Sequence, residues 1–299
     1  PDAQAVQARI AAVLGCEPDE IVLTRNATEA LQALIGGYNR LSPGDGVLYA
    51  DLDYGSMQTA MAWLRERRGA DLVTMALPEP ATRQSLIDAY EQALIANPHV
   101  RLMLLPHLSH RTGLVLPVAE ICEMARGRGV DVIVDAAHSW GQIDFTVAEL
   151  NADFVGFNLH KWIGAPLGVG LMYVRKPRIA DIDPFMGEPS RGPQDIGARV
   201  HTGTTDFAAI LSVPAALDVH EAIGPARKAA RLRYLRSLWT GAAREAGFEV
   251  LTPEDPSLHA GITSFRAAGQ TGAHENAALA ARLLDEHNIF TVHRTGIAS

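Results

Sequence analysis

Three short apolar runs near the middle of the chain constrain its fold more than any other feature. They are Val132–Asp135, Asp153–Phe157 and Val169–Val174. Each is the length of a strand and bounded by turn residues, so each reads as a buried strand. Upstream, Ile21–Thr24, Val47–Ala50, Leu72–Ala76 and Val100–Leu105 read the same way, with helical patterns between them at Ala3–Leu14, Thr28–Tyr38, Ser56–Arg67, Ser85–Ile95 and Val118–Arg128. Alternation of this kind predicts an α/β chain with a mainly parallel sheet covered by helices on both faces.

The pattern changes after about residue 215. Glu221–Ala246 reads as one long Arg-rich helix, followed by short strands at Glu249–Leu251 and Gly261–Phe265, a helix at Glu275–His287 and a strand at Ile289–His293. This predicts a large domain over residues 1–215 and a smaller α+β domain over 216–299. Arg227, Lys228, Arg231, Arg233, Arg236 and Arg244 read as a solvated helix face, since the chain as a whole carries a net charge of -8. That acidity argues against a nucleic-acid or anionic-membrane partner. With no apolar run approaching ~18 residues, no transmembrane helix is expected.

Only Cys16 and Cys122 are present, which leaves no disulfide framework and no cysteine-rich metal site. A reducing cytoplasmic location is therefore the expectation. The chain begins at Pro1 without Met and stops at a turn-like Arg294-Thr295-Gly296-Ile297-Ala298-Ser299. Both ends read as incomplete, and a cleaved export signal ahead of Pro1 stays compatible with the sequence.

Two residues at the ends of the apolar runs carry chemistry. Asp135 closes one run, and Lys161 follows the next in Asn158-Leu159-His160-Lys161-Trp162. Strand ends on one edge of an open α/β sheet are where ligands bind. An acid and an amine placed there suit pyridoxal 5'-phosphate: the lysine forms the Schiff base and the acid pairs with the pyridine nitrogen. Asp135 alone could be a helix cap, but a buried carboxylate needs a partner and a pyridinium supplies one. Trp162, Ile163, Pro166 and Leu167 after Lys161 predict apolar surroundings that lower the pKa of the amine. The same group is then the expected base for proton transfer at the substrate Cα.

A phosphate needs a cradle, and Thr24-Arg25-Asn26-Ala27-Thr28-Glu29 joins a strand to a helix start with free N–H groups. Asn26 with Glu29 is also a plausible capping box. Tyr54 could stack on the pyridine face or be a half-exposed loop aromatic, and His160 could be a phosphate or substrate contact or a turn residue. No Gly-x-Gly-x-x-Gly follows the first strand and no Gly-x-Ser-x-Gly elbow occurs, which counts against nicotinamide and serine-hydrolase chemistry.

With Asn26-Ala27-Thr28-Glu29-Ala30, Asp135-Ala136-Ala137-His138, Asn158 to Trp162 and His201-Thr202-Gly203-Thr204-Thr205-Asp206 in view, the whole chain resembles the class V aminotransferases. It is most similar to the isopenicillin N epimerase-like group, with cysteine desulfurases more distant. The resemblance implies the fold-type I PLP-dependent transferase architecture and an enzyme acting at Cα of an amino acid or amino-bearing metabolite. Transamination is placed ahead of epimerisation, with C–S lysis a further alternative. It implies Lys161, Asp135 and His138 as catalytic residues, with His138 on the cofactor's phenolic oxygen. Ala27, Thr28, Asn158 and His160 would serve the phosphate, and Tyr54 the ring. Thr204 would reach the neighbouring subunit's phosphate in a homodimer with shared active sites. His110 falls where many relatives have a cofactor-facing asparagine.

Two departures bear on substrate. Ser299 stands where desulfurases carry the persulfide cysteine, and a serine cannot accept sulfur as a thiolate does. The family's substrate-carboxylate arginine would lie beyond Ser299.

Overall fold

The structure is a computed structural model that describes residues 2–188 and 191–293. The Arg294–Ser299 turn and the place of Ser299 lie outside the described residues. The first half of the chain runs α1 (Ala3–Leu14), β1 (Ile21–Thr24), α2 (Ala27–Gly37), β2 (Gly46–Ala50), α3 (Gly55–Arg68) and β3 (Asp71–Met75). It continues α4 (Arg83–Ala96), β4 (Val100–Pro106), α5 (Val118–Gly127), β5 (Asp131–Ala136), β6 (Phe154–Asn158) and β7 (Gly170–Val174). The strands form one seven-stranded sheet in the order β1-β7-β6-β5-β4-β2-β3. Strands β2 to β6 pair in parallel, and β7 runs antiparallel to both β6 and β1.

The period of two along a strand sorts side chains between the two faces. On β4, Met103 and Leu105 join the cluster that contains Leu86 and Tyr90 of α4 and Ile121 of α5. Their neighbours Leu102 and Leu104 join Leu31 and Leu34 of α2 and Met57 and Met61 of α3. Fully burying each such side chain contributes about 1.5–3 kcal/mol, so a central strand apolar on both faces is held from both sides.

Helix α2 lies unusually close to the sheet, because two strand positions carry no side chain. A Cβ on Gly156 of β6 would fall 2.7 Å from Leu31 Cγ, and one on Gly170 of β7 would fall 2.6 Å from Asn26 Cα. Glycine at both positions lets the start of α2 sit against the ends of β6 and β7.

The strand and helix expectations over residues 3–174 match the observed elements to within two residues at each end. Asp135 lies inside β5 rather than just past it. The second half departs more. Two helices, α6 (Phe207–Leu211) and α7 (Val213–Ile223), precede α8 (Pro225–Glu245), and the long helix expected from Glu221 is broken between them. Pro225 has no N–H to continue α7, Gly224 turns with φ +88°, and the axes on either side differ by 73°.

The remaining elements are β8 (Phe248–Val250), β9 (Phe265–Ala267) and α9 (Ala273–His287). Residues 261–264 are not strand, and neither is the expected Ile289–His293 segment. Among the described residues of this part, β8 and β9 pair as an antiparallel ribbon, and His259 makes an isolated bridge to Leu114.

The solvated-face expectation for the basic residues of α8 holds only in part. Arg227 and Arg231 are exposed, whereas Arg236 is buried and donates to the Thr252 and Pro253 carbonyls. Lys228 donates to the Trp162 carbonyl and Arg233 to that of His259. Backbone carbonyls left unpaired by irregular loops take these cations, which composition does not reveal. Among the described residues no single helix is long and apolar enough to cross a membrane.

His107 follows β4, and its N–H donates to the Asp135 carbonyl at 2.9 Å. Its ring packs edge-on against Phe145 with centroids 4.9 Å apart, and Nδ1 is buried without a partner. Burial pushes the imidazole down to about 4 from its ordinary 6.5. A depressed value means the contribution to stability is whole above the unfolded value and is lost as pH falls from there toward the folded value. Within that window one group costs about 1.4 kcal/mol per pH unit. His107→Gln should therefore flatten the fall in urea-unfolding stability between pH 6.5 and pH 5; equal falls in both proteins would show that His107 does not titrate on unfolding.

Candidate active site

At the carboxyl edge of β4, β5 and β6 lies a cleft of about 510 Å³. It brings together Ala27, Thr28, Tyr54, Asp135, His138, Asn158, His160 and Lys161, all singled out from sequence, and His110 as well. Thr204 does not line it. That residue is exposed on the loop ahead of α6.

The floor is Asp135, 8 % exposed, whose Oδ1 accepts the Ala137 N–H at 2.9 Å. Burial raises its pKa, while the Ala137 N–H and the nearby Lys161 pull it back. A carboxylate in this setting gains from a cation set against it. Lys161 sits on the loop after β6, with its Nζ 2.8 Å from His138 Nε2. The apolar enclosure expected around the amine is not built: Lys161 is exposed, and Leu167 is 80 % exposed at the cleft mouth. Of the apolar residues that follow it, Ile163, Ala165 and Val169 turn into the core, while Pro166 and Leu167 stay exposed. The lysine is therefore set by an imidazole rather than by an apolar wall.

One wall carries three rings. Tyr54, at the start of α3, meets His110 edge-on at 5.3 Å, and His110 lies roughly parallel to His138 with centroids 6.2 Å apart. On the opposite side is the start of α2. Asn26 caps the helix through Oδ1 on the Glu29 N–H, as the sequence suggests, but the Glu29 carboxylate reaches the Arg25 N–H instead of closing a capping box on Asn26. Asn158 Oδ1 accepts the Ala27 N–H at 2.7 Å. The helix start thus turns toward the cleft the N–H of Thr28, for which no acceptor exists among the described residues, together with the Thr28 hydroxyl. His160 is fixed by Nδ1–H donating to the Val169 carbonyl at 3.0 Å, which directs Nε2 away from the backbone.

Asp53 was missed in the sequence. It lies 1 % exposed just before Tyr54, with Oδ2 accepting the Ala50 N–H at 2.7 Å and Oδ1 buried without a partner. Burial first, and then Asp135 and Asp51, push its carboxyl well above the usual range. The signal available was an acid directly after a strand end and directly before the cleft tyrosine. Among the described residues no three His, Cys, Asp or Glu side chains gather as metal ligands.

The donor set fits pyridoxal phosphate: an amine, a buried acid at ring depth, an imidazole between them and an open helix N-terminus for a phosphate. Sheet order and site together define a PLP-dependent enzyme of the α/β type. The family model for aminotransferase class-V matches residues 2–296, and the chain belongs to that family. Isopenicillin N epimerase of Streptomyces clavuligerus is 32% identical over 287 residues, covering 89% of this chain and 71% of the relative. Among solved structures, the cystine C–S lyase C-DES in complex with its product cysteine persulfide superposes with a TM-score of 0.82 at 26% identity. That match covers 98% of this chain and 78% of the other. A C-DES mutant with glycine covalently linked to its PLP cofactor gives 0.81 at 25% identity, covering 98% and 77%.

Removing the Asn158 carboxamide leaves the Ala27 N–H buried and unpaired, at a cost of about 1–3 kcal/mol. Asn158→Ala should therefore lower unfolding stability by that amount and weaken inorganic phosphate binding by the cofactor-free protein. Unchanged stability would show that the clamp between β6 and α2 is not formed.

Proposed function

We propose that this protein moves a proton at the Cα of an amino acid or amino-bearing metabolite. The observation that carries the reading is the Lys161 amine held 2.8 Å from His138 beside a buried Asp135. Pyridoxal phosphate bound in the cleft supplies an electrophilic carbonyl for the substrate amine and a ring that accepts electron density from Cα. With it bound, Asp135 would hold the pyridine nitrogen protonated, His138 would donate toward the phenolic oxygen, and Tyr54 would lie against the ring. Thr28, Asn158 and His160 hold the phosphate. Once displaced by the substrate amine, Lys161 Nζ takes the Cα proton and returns it.

Epimerisation is the specific outcome we favour. Similarity to isopenicillin N epimerase extends over 89% of the chain, and the Tyr54–His110 pair gives the cleft further proton-carrying groups besides Lys161. Transamination is the second reading, supported by the class-V family match. In it Lys161 carries the proton from Cα to the cofactor instead of back. We also infer a homodimer, because Thr204 is exposed and absent from its own cleft, a position from which it can serve a partner's phosphate.

Across a panel of amino acids, epimerisation should bring solvent deuterium into Cα with both enantiomers appearing and no keto acid formed. Keto acid formed in step with loss of the amino group would establish transamination instead. Lys161→Ala should abolish borohydride fixation of the cofactor to the chain and lower turnover by at least about 100-fold. A variant that still fixes cofactor would place the anchor on another lysine and overturn the assignment.

A further inference from the structure

We infer that Trp162 sets the tautomer of His138, and through it keeps Lys161 in the neutral, reactive form. The indole N–H of Trp162 donates to His138 Nδ1 at 3.4 Å, and the other ring nitrogen, Nε2, faces Lys161 Nζ at 2.8 Å. An indole nitrogen only donates, so Nδ1 must present its lone pair. The proton of the neutral imidazole then lies on Nε2. With Nε2–H aimed at it, the Lys161 nitrogen is the acceptor, which requires an uncharged amine. An ammonium at the same place would set two donors against each other. Relieving that clash means moving the imidazole proton to Nδ1, which breaks the bond from Trp162. The same Nε2–H is the donor that the phenolic oxygen of a bound cofactor calls for.

Both partners are held for this task. The His138 carbonyl accepts from Gln142 Nε2 at 2.8 Å, which fixes the turn after β5. Trp162 is fixed from two sides: Lys228 of α8 donates to its carbonyl, and Gly141 packs against its backbone. A Cβ at Gly141 would stand 2.6 Å from the Trp162 carbonyl carbon, and its φ of +89° suits glycine, so the close approach is available to no other residue. Trp162 acts on the lysine amine through His138. It is a positioning residue.

The inference rests on Lys161 being the reactive amine, and the test separates the two. In cofactor-free protein labelled with ¹⁵N-histidine, His138 (assigned by the loss of its signals in His138→Gln) should show a protonated Nε2 and an unprotonated Nδ1 at neutral pH. Trp162→Phe keeps the ring and removes the N–H, so His138 should become a mixture of tautomers. Capture of added pyridoxal phosphate by Lys161, followed by borohydride fixation, should slow by up to about tenfold, the scale of one hydrogen bond. A proton on His138 Nδ1 in the wild type overturns the inference, even if Trp162→Phe fails to fold. Unchanged tautomer and capture rate in a folded Trp162→Phe overturn it equally. Loss of fixation in Lys161→Ala, by contrast, bears on the identity of the amine alone.

Discussion

The start of α2 is clamped to the sheet, and the rest of the site depends on that clamp. Gly156 and Gly170 remove the side chains that would hold the helix off β6 and β7, and Asn158 at the end of β6 ties down the Ala27 N–H. A helix start in that position exposes unpaired donors and the positive end of its dipole to the cleft. One more methyl group on either glycine would push the helix outward, and the cradle would open before any catalytic side chain had moved. The clamp also explains why a strand residue, Asn158, belongs to the site at all. Its carboxamide oxygen is spent on architecture, and the consequence appears one residue further along the helix, at Thr28.

Electrostatics under the cleft follow from burying two carboxyls in one region. Asp135 and Asp53 are both nearly inaccessible, and Asp135 is among the causes that raise Asp53. Two like charges cannot share such a site cheaply, so the pair separates in role. Asp135 has Lys161 nearby and an amide N–H on its carboxylate. Asp53 has one amide N–H, and burial with Asp135 and Asp51 nearby pushes its carboxyl well above the usual range.

The first 174 residues were legible because burial on both faces writes itself into the sequence. Runs such as Val132–Val134 have no other stable home than a covered sheet, and glycines and prolines mark where they stop. Asp135 and Lys161 stood out for a related reason: each is a polar residue near the end of an apolar run, whereas His138 was pointed to by the family resemblance. What was not legible depends on partners distant in sequence. Lys161 was expected among apolar neighbours because the residues next to it are apolar, yet Leu167 faces solvent and the contact that sets the amine comes from His138, twenty-three positions away. The long helix expected from Glu221 fails for a local reason that was visible, Gly224-Pro225, outweighed by the arginine pattern on either side. Asp53 escaped because an acid before a helix ordinarily reads as a cap, whereas its carboxyl turns back to Ala50.

Sulfur chemistry gives the last constraint on what this cleft does. Relatives of the fold include a C–S lyase, and a chain that carried sulfur on itself would need a thiolate within reach of the substrate. Cys122 is buried in the core on the inner side of α5, and burial pushes its thiol up to about 12; Cys16 follows α1, and burial with Glu20 and Glu17 nearby pushes it to about 12 as well. Neither lines the cleft. A thiol held that far above neutrality is neither nucleophile nor sulfur acceptor, so these two residues serve packing. Among the described residues the cleft's groups are one amine, imidazoles, hydroxyls, two carboxamides, a guanidinium and a carboxylate, all of which hold, donate or move protons. That inventory suits breaking and remaking the bond between Cα and hydrogen, with Lys161 as the group that can reach it.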